Sequence, residues 1–212
     1  MKLYKPSAVR KLRSINREAK EYFNTRKWID FEKTNWGIAG DTFRSYVNFN
    51  NRPSLIYREW AKKTVSGKDF LKRLNDIKNY PDFLKVHKSI QKSLDRFWKQ
   101  EQGKSMTPAQ RNKIIDLFIK FLSTAEIEGF PGLNNTLLQF GHIPLDKFSL
   151  LAVKDCFYGM VLCPNPRMGN IDEIETYYFI QNQIRELMIK AKLPNLFFDF
   201  YARKSGDTIP GK

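Results

Sequence analysis

The 212-residue sequence is poor in the residues that build metal sites and disulfide frameworks, with two cysteines and two histidines. Cys156 and Cys163 lie in one local stretch, so we expect reduced thiols in or near the core rather than a disulfide. His87 lies on a predicted apolar helix face and is expected to be a hydrogen-bonded core residue, far along the chain from His142. Because no cysteine or histidine cluster shows the spacing of zinc or iron–sulfur ligands, the sequence predicts no metal site.

Several catalytic motifs and long apolar runs are also missing. The chain has no glycine-rich phosphate loop, no dinucleotide-binding fingerprint and no serine-hydrolase elbow, so nucleotide hydrolysis, dinucleotide chemistry and esterase chemistry lack their usual signal. We therefore expect no cofactor. No run approaches the roughly 18 to 20 apolar residues that cross a bilayer, and residues 1–6 lack the apolar stretch of a secretory signal. These absences predict a cytoplasmic, nucleoid-associated protein with no membrane partner.

Acidic residues are scarce relative to basic ones: 22 Asp and Glu stand against 37 Lys and Arg, which gives a net charge of +15. The excess of basic residues is distributed unevenly along the chain. Residues 1–120 hold 28 basic and 12 acidic side chains, a net +16, whereas residues 121–212 hold 9 and 10, a net −1. The commonest partner of such a one-sided positive field is a phosphate polymer. The alternative is a lysine-rich surface that serves solubility alone.

The basic half opens with a predicted amphipathic helix. Its apolar residues recur near helical spacing, at Val9, Leu12, Ala19, Tyr22 and Phe23. A basic stripe follows the same period beside them, formed by Arg10, Arg13, Arg17 and Lys20. Since only Glu18 and Glu21 are available to neutralise this stripe, we expect it to contact a phosphate polymer, of which double-stranded DNA is one kind.

Helical periodicity recurs along most of the chain and strand-type alternation is scarce, which predicts a mainly α, multi-helix fold. We expect a basic N-terminal helical part over residues 1–107, a C-terminal helical part over 108–204 and a flexible tail over 205–212; the first two could also form one compact domain. Segment 42–47 fits a short strand and a helical turn equally well. The clearest helices are predicted over residues 68–77, from Tyr80 to Gly103, and over 109–123, 146–158 and 172–192.

Two short motifs in the C-terminal part resemble a known superfamily. Phe130-Pro131-Gly132-Leu133-Asn134 and, after a short apolar segment, Ile143-Pro144-Leu145-Asp146 resemble the hairpin and the following P-V-D of helix-hairpin-helix DNA glycosylases of the endonuclease III and 8-oxoguanine glycosylase type. The resemblance covers roughly residues 108–202. It implies a two-lobed helical fold that binds duplex DNA through backbone N–H groups of the hairpin, at Gly132, Asn134 and Asn135, and an aspartate, Asp146, that assists glycosidic bond cleavage.

The chain departs from that family at three points. Asn134 stands where the second glycine of the hairpin is expected. No lysine aligns with the nucleophile of the bifunctional members, since the matching position is near Asn135 or Thr136; this favours hydrolysis without a lyase step. The short spacing from Gly132 to Asp146 leaves a rival register in which Asp155 is the catalytic aspartate, although Asp155 falls inside the predicted helix.

The resemblance leads to a hypothesis of a monomeric, monofunctional DNA N-glycosylase that removes a damaged or modified base, such as one in foreign or phage DNA. Asp146 could instead serve only as a helix N-cap, and Gly132 could be an ordinary turn. We expect two or three of the four tryptophans in the core, with Trp36 free to stack on an extruded base. The alternatives are a non-catalytic DNA- or RNA-binding protein and a helical adaptor. An open, aromatic-lined pocket at Asp146 would favour the enzyme.

Overall fold

The computed structural model describes residues 3–25, 27–30, 33–39, 42–46, 48–160, 162–171 and 173–207, and these confirm the mainly α class. Two two-residue strands, β1 (Lys27–Trp28) and β2 (Ala125–Glu126), pair in parallel. Within the described ranges no helix is both long and apolar enough to cross a membrane. The helices are α1 (Pro6–Ser14), α2 (Asn16–Asn24), α3 (Pro53–Ser66), α4 (Lys68–Asn75), α5 (Tyr80–Gln102), α6 (Pro108–Ser123), α7 (Leu133–Phe140), α8 (Lys147–Cys156), α9 (Ile174–Ala191) and α10 (Phe197–Asp207).

Local capping signals set the ends of the two central helices. The Asn79 side chain accepts a hydrogen bond from the Asp82 N–H at the start of α5, and Gly103 follows its last residue with a left-handed φ of 72°. Thr107 and Gln110 form a reciprocal capping box at the start of α6. Both helices therefore begin and end where the sequence predicts.

The structure differs from the prediction at both ends of the chain. The single opening helix is divided at Ile15, whose N–H bonds to the Leu12 carbonyl three residues back and whose side chain is buried. At the other end α10 continues to Asp207, so residues 205–207 are helical where a flexible tail was expected; residues 208–212 lie outside the described ranges. The ambiguous segment at 42–46 forms a 3₁₀ helix.

The buried side chains form two clusters whose boundary differs from the predicted division at residue 107. The first cluster joins α1 and α2 to α8, α9 and α10, and the second is built from α3 to α7. Helices α1 and α2 pack on the C-terminal helices. This contact covers their apolar face, which includes Ala8, Leu12, Ala19 and Phe23. Helices α6 and α7, assigned to the C-terminal part by sequence, pack instead with the N-terminal helices.

Candidate functional site

Asp146 is the N-cap of α8, as the sequence predicts. Its Oδ1 accepts a hydrogen bond from the Ser149 N–H at 3.0 Å, and its own N–H donates to Ser149 Oγ at 2.7 Å. Arg203 Nη2 lies 3.4 Å from Asp146 Oδ2. About a quarter of the Asp146 side chain remains exposed. The carboxylate is thus fixed in direction by the helix start while it still reaches solvent.

The exposed side of Asp146 faces a cavity of about 520 Å³. We call it the basic cavity, because the described residues that line it include the Asp146 carboxylate and four cations: Lys113, Lys120, Lys147 and Arg203. Aromatic walls are contributed by Tyr22, Phe121 and Phe148. Its volume is within the range of ordinary small-ligand pockets, and its charge favours an anionic ligand.

A buried acidic residue holds two of these cations in place. Asp199, almost fully buried, accepts from Lys120 Nζ at 2.5 Å and from Arg203 Nε at 3.2 Å. The negative charge of Asp199 raises the pKa of Arg203. Lys113 and Lys147 make no ion pair with any residue that the structure describes, so they are available to a ligand.

The rival aspartate lies apart from this cavity. Asp155 follows Asp146 by nine residues, about 13 Å along α8. It is half exposed, pairs with Lys11 Nζ at 2.9 Å and accepts from the Tyr201 hydroxyl at 3.3 Å. The hydrogen bond from Lys11 lowers the pKa of Asp155. Asp155 therefore fastens α1 to α8 and, unlike Asp146, does not line the basic cavity.

The predicted hairpin residues divide into two roles. Gly132 and Asn135 are exposed at the start of α7. Asn134 is buried, and its Nδ2 donates to the carbonyls of Leu122, Ser123 and Ala125 at 3.3, 3.0 and 2.7 Å. The Asn134 side chain thus joins α7 to the end of α6, and the expected DNA contact through its backbone N–H stays a prediction.

The basic stripe is also divided in its roles. Arg10 and Lys20 are exposed and form no ion pair within the described part of the chain. Arg17 pairs with Glu21 at 3.5 Å on the surface. Arg13 donates instead to the carbonyls of Lys190 and Ala191 at 3.2 and 3.4 Å, where it caps the C-terminus of α9. Of the four, Arg13 is therefore engaged in holding the fold.

Trp36 is buried, which contradicts its predicted role as a base-stacking residue. Its side chain is 1% exposed, and its ring lies 6.1 Å from that of Phe118 and 6.0 Å from that of Phe121. The exposed tryptophan is Trp28, at 72%. Trp60 and Trp98 are buried as well, which confirms the expectation that most of the tryptophans belong to the core.

The two histidines meet in space despite their distance in the sequence. The rings of His87 and His142 are 4.7 Å apart between the two clusters, and both are fully buried. His87 Nε2 lies 3.1 Å from Asp116 Oδ1, as expected for a hydrogen-bonded core histidine. The contact arises because α5, α6 and the loop before α8 converge there, which sequence spacing does not reveal.

Two tyrosines complete this buried network. The Tyr177 hydroxyl donates to Asp116 Oδ2 at 2.8 Å and lies 2.8 Å from His142 Nδ1. The Tyr80 hydroxyl lies 2.9 Å from His142 Nε2. Burial lowers the pKa of His142 and raises that of Asp116. Both ring nitrogens of His142 therefore lie within hydrogen-bond distance of a tyrosine hydroxyl.

The network also contains the donor set of a metal site, which the sequence did not predict. Ligand atoms of His87, Asp116 and His142 lie within 4.8 Å of one another. The hydrogen bonds already engage both nitrogens of His142 and both oxygens of Asp116. The arrangement therefore fits a buried polar network, and the absence of a metal stays a prediction.

Several residues that line the basic cavity were not predicted from the sequence as site residues. Lys113 and Lys120 are two turns apart on α6, and that seven-residue spacing could have indicated a shared face. Lys147 and Arg203 carried no such signal, since they meet only through packing.

No protein-family model matches this chain, and neither a curated protein nor a solved structure matches it.

Proposed function

We propose that the protein is a DNA N-glycosylase of the helix-hairpin-helix type that hydrolyses the glycosidic bond of a damaged or modified base. The observation that carries the proposal is the open basic cavity at Asp146, which combines a carboxylate, several cations and aromatic walls. A nucleotide turned out of a duplex needs these three features: countercharges for its phosphate, an apolar surface for its base and a carboxylate near its sugar.

Asp146 suits the carboxylate role in this reaction. Cleavage of an N-glycosidic bond develops positive charge on the sugar, and a fixed negative group beside it stabilises that charge. The hydrogen bond from the Ser149 N–H and the position at a helix N-terminus hold the Asp146 carboxylate in one orientation. Its exposed edge faces the cavity, where it can also orient the attacking water.

The surrounding cations provide the phosphate contacts that would bind the substrate. Lys113 and Lys147 are unpaired among the described residues, and Lys120 and Arg203 share Asp199. Arg10 and Lys20 are further exposed cations, on the two N-terminal helices. Base excision would thus combine phosphate contacts in and around the basic cavity with chemistry at Asp146.

A non-catalytic DNA- or RNA-binding protein is the second candidate, and one observation favours it. Both carboxylate oxygens of Asp146 already have partners, Ser149 and Arg203. An aspartate engaged in this way performs a complete structural role as N-cap, without any reaction. In that case the protein would bind a phosphate group in the basic cavity and would not cleave a base from the nucleic acid.

Base release separates the two candidates. The protein is incubated with duplexes containing uracil, 8-oxoguanine, alkylated adenine or the modified pyrimidines of phage DNA, and abasic sites are counted. For the substrate that reacts, Asp146→Asn should lower the rate about 10²- to 10⁴-fold, because asparagine keeps the N-cap but removes the charge. Asp155→Asn is the matched control and should leave the rate unchanged. Undiminished release by Asp146→Asn contradicts the assignment.

The lyase step is tested in the same reactions. Because the basic cavity brings lysines of α6 and α8 near Asp146, borohydride is added to trap any Schiff base between protein and DNA. A monofunctional enzyme gives abasic sites and no covalent product. A trapped adduct that disappears in Lys113→Met or Lys147→Met would assign a lyase step to that lysine instead.

A further inference from the structure

A second cavity, of about 540 Å³, lies next to the basic cavity and differs from it in character. We call it the aromatic cleft, after its walls Tyr22, Trp28 and Phe121. Trp28 is 72% exposed and Tyr22 is 46% exposed. Two exposed aromatic side chains that line one cleft form a contiguous apolar surface, which is the kind of surface that binds a partner.

The two cavities share part of their walls. Tyr22, Phe121 and Thr124 line both of them. Lys120 Nζ, on the basic side, lies 5.8 Å from the centre of the Tyr22 ring, within the range of a cation–π contact. A ligand in the aromatic cleft is therefore next to the cations that line the basic cavity.

This juxtaposition selects one kind of occupant. An uncharged peptide or neutral lipid would use the apolar walls but would not need the four cations beside them, and a simple polyanion would use the cations but not the aromatic rings. A nucleotide has both parts, a flat base that stacks on aromatic side chains and a phosphate a few bonds away. Charge and aromatic surface together therefore fit nucleic acid with an accessible base.

We propose that the aromatic cleft binds an unpaired nucleobase, stacked on Trp28, while the phosphate of the same strand lies in the basic cavity. The proposal rests on the proposed function, since both require a nucleic-acid ligand, and it adds the class of substrate: single-stranded DNA or a locally opened duplex. A closed duplex keeps its bases stacked on each other and leaves the cleft empty. The protein should accordingly bind single strands and bubbles more tightly than intact duplexes.

The fluorescence of Trp28 can be used to measure base stacking. The other tryptophans, Trp36, Trp60 and Trp98, are at most 2% exposed, so a bound base can quench only Trp28 directly. The full chain is titrated with an oligothymidylate of about ten nucleotides, the length of a typical single-strand site, and with an abasic strand of equal length. Stacking predicts quenching by oligothymidylate, little quenching by the abasic strand, and loss of the quenching in Trp28→Phe.

Affinity is measured in parallel by fluorescence anisotropy of a labelled strand. Trp28→Ala should weaken oligothymidylate binding about 5- to 150-fold, the effect of one stacked base, and should leave binding of the abasic strand nearly unchanged. Circular dichroism and the midpoint of thermal unfolding check that the variant is folded. Leu55→Ala, which removes another exposed apolar side chain remote from the cleft, is the matched control and should bind as the wild type does.

The outcomes separate this inference from the proposed function. Binding with unchanged Trp28 fluorescence, or equal quenching by both strands, overturns base stacking in the cleft; base release that depends on Asp146 would then still support the glycosylase. If neither single strands nor duplexes bind, both proposals fail. Quenching by anionic lipid vesicles, with none by oligothymidylate, would assign the cleft to a membrane surface and likewise overturn the inference.

Discussion

Replacing Tyr177 with phenylalanine removes one hydroxyl from the centre of the buried network and changes little else in shape. That hydroxyl donates to Asp116 Oδ2 and accepts from His142 Nδ1, each at 2.8 Å. Burial raises the pKa of Tyr177, so the group is a neutral hydroxyl at all ordinary pH values. The substitution therefore leaves one oxygen of the Asp116 carboxylate and the His142 imidazole N–H without a partner in the protein interior, while the other Asp116 oxygen keeps its contact with His87.

The expected loss follows from the two groups left behind. A buried donor without a partner costs about 1 to 3 kcal/mol, and a lost hydrogen bond to a charged group costs about 1.5 to 3 kcal/mol. Taken together, Tyr177→Phe should lower the free energy of unfolding by about 2.5 to 6 kcal/mol. Urea unfolding at pH 7.5, followed by circular dichroism, measures this change directly.

A second buried tyrosine supplies a matched control. Tyr57 is as buried as Tyr177, but its hydroxyl makes a single neutral hydrogen bond, to the Trp36 carbonyl at 2.8 Å. Tyr57→Phe should cost only about 1 to 2 kcal/mol. If Tyr177→Phe costs no more than Tyr57→Phe, the network does not hold the two clusters together in the way described.

Three further outcomes are expected. Burial lowers the pKa of His142 below 6.5. The contribution of this neutral histidine to stability is therefore full above pH 6.5 and is lost as the pH falls, by up to about 1.4 kcal/mol per pH unit. Urea unfolding should accordingly give a lower free energy of unfolding at pH 5.5 than at pH 7.5. Lys120→Met removes one of two cations from buried Asp199 and, because Arg203 still pairs with it, should cost about 1.5 to 3 kcal/mol in the same assay; an unchanged value refutes the pairing. Gly132→Ala should fold normally, since the added Cβ meets only the Asn75 side chain at 3.3 Å, yet weaken duplex binding in a mobility-shift assay; unchanged binding excludes this turn from the interface.

Local signals made parts of the fold predictable. The caps of α5, α6 and α8 are Asn79, Thr107 and Asp146, and each depends on side chains within three residues of the helix start. Such a local signal allowed Asp146 to be placed at a helix start from the sequence. The periodicity of apolar residues likewise predicted the long helices and the core position of His87. These features do not require knowledge of which helices pack together.

Features that depend on packing could not be predicted. Trp36 and Trp28 lie in similar polar surroundings in the sequence, but α6 covers Trp36 and leaves Trp28 exposed. The basic cavity draws its cations from α6, α8 and α10, and the contact of the two histidines needs three converging elements. Sequence reasoning placed Asp146 correctly at a helix start but could not show what faces it.

The most direct test of the account is a crystal structure of the protein bound to a duplex that carries a pyrrolidine abasic nucleotide. This cationic sugar analogue mimics the charge that develops during glycosidic cleavage. The account predicts that the pyrrolidine nitrogen contacts the Asp146 carboxylate, with the neighbouring phosphate held by Lys113 or Lys147 in the basic cavity. An analogue bound elsewhere, with Asp146 still closed against Ser149 and Arg203, would contradict it.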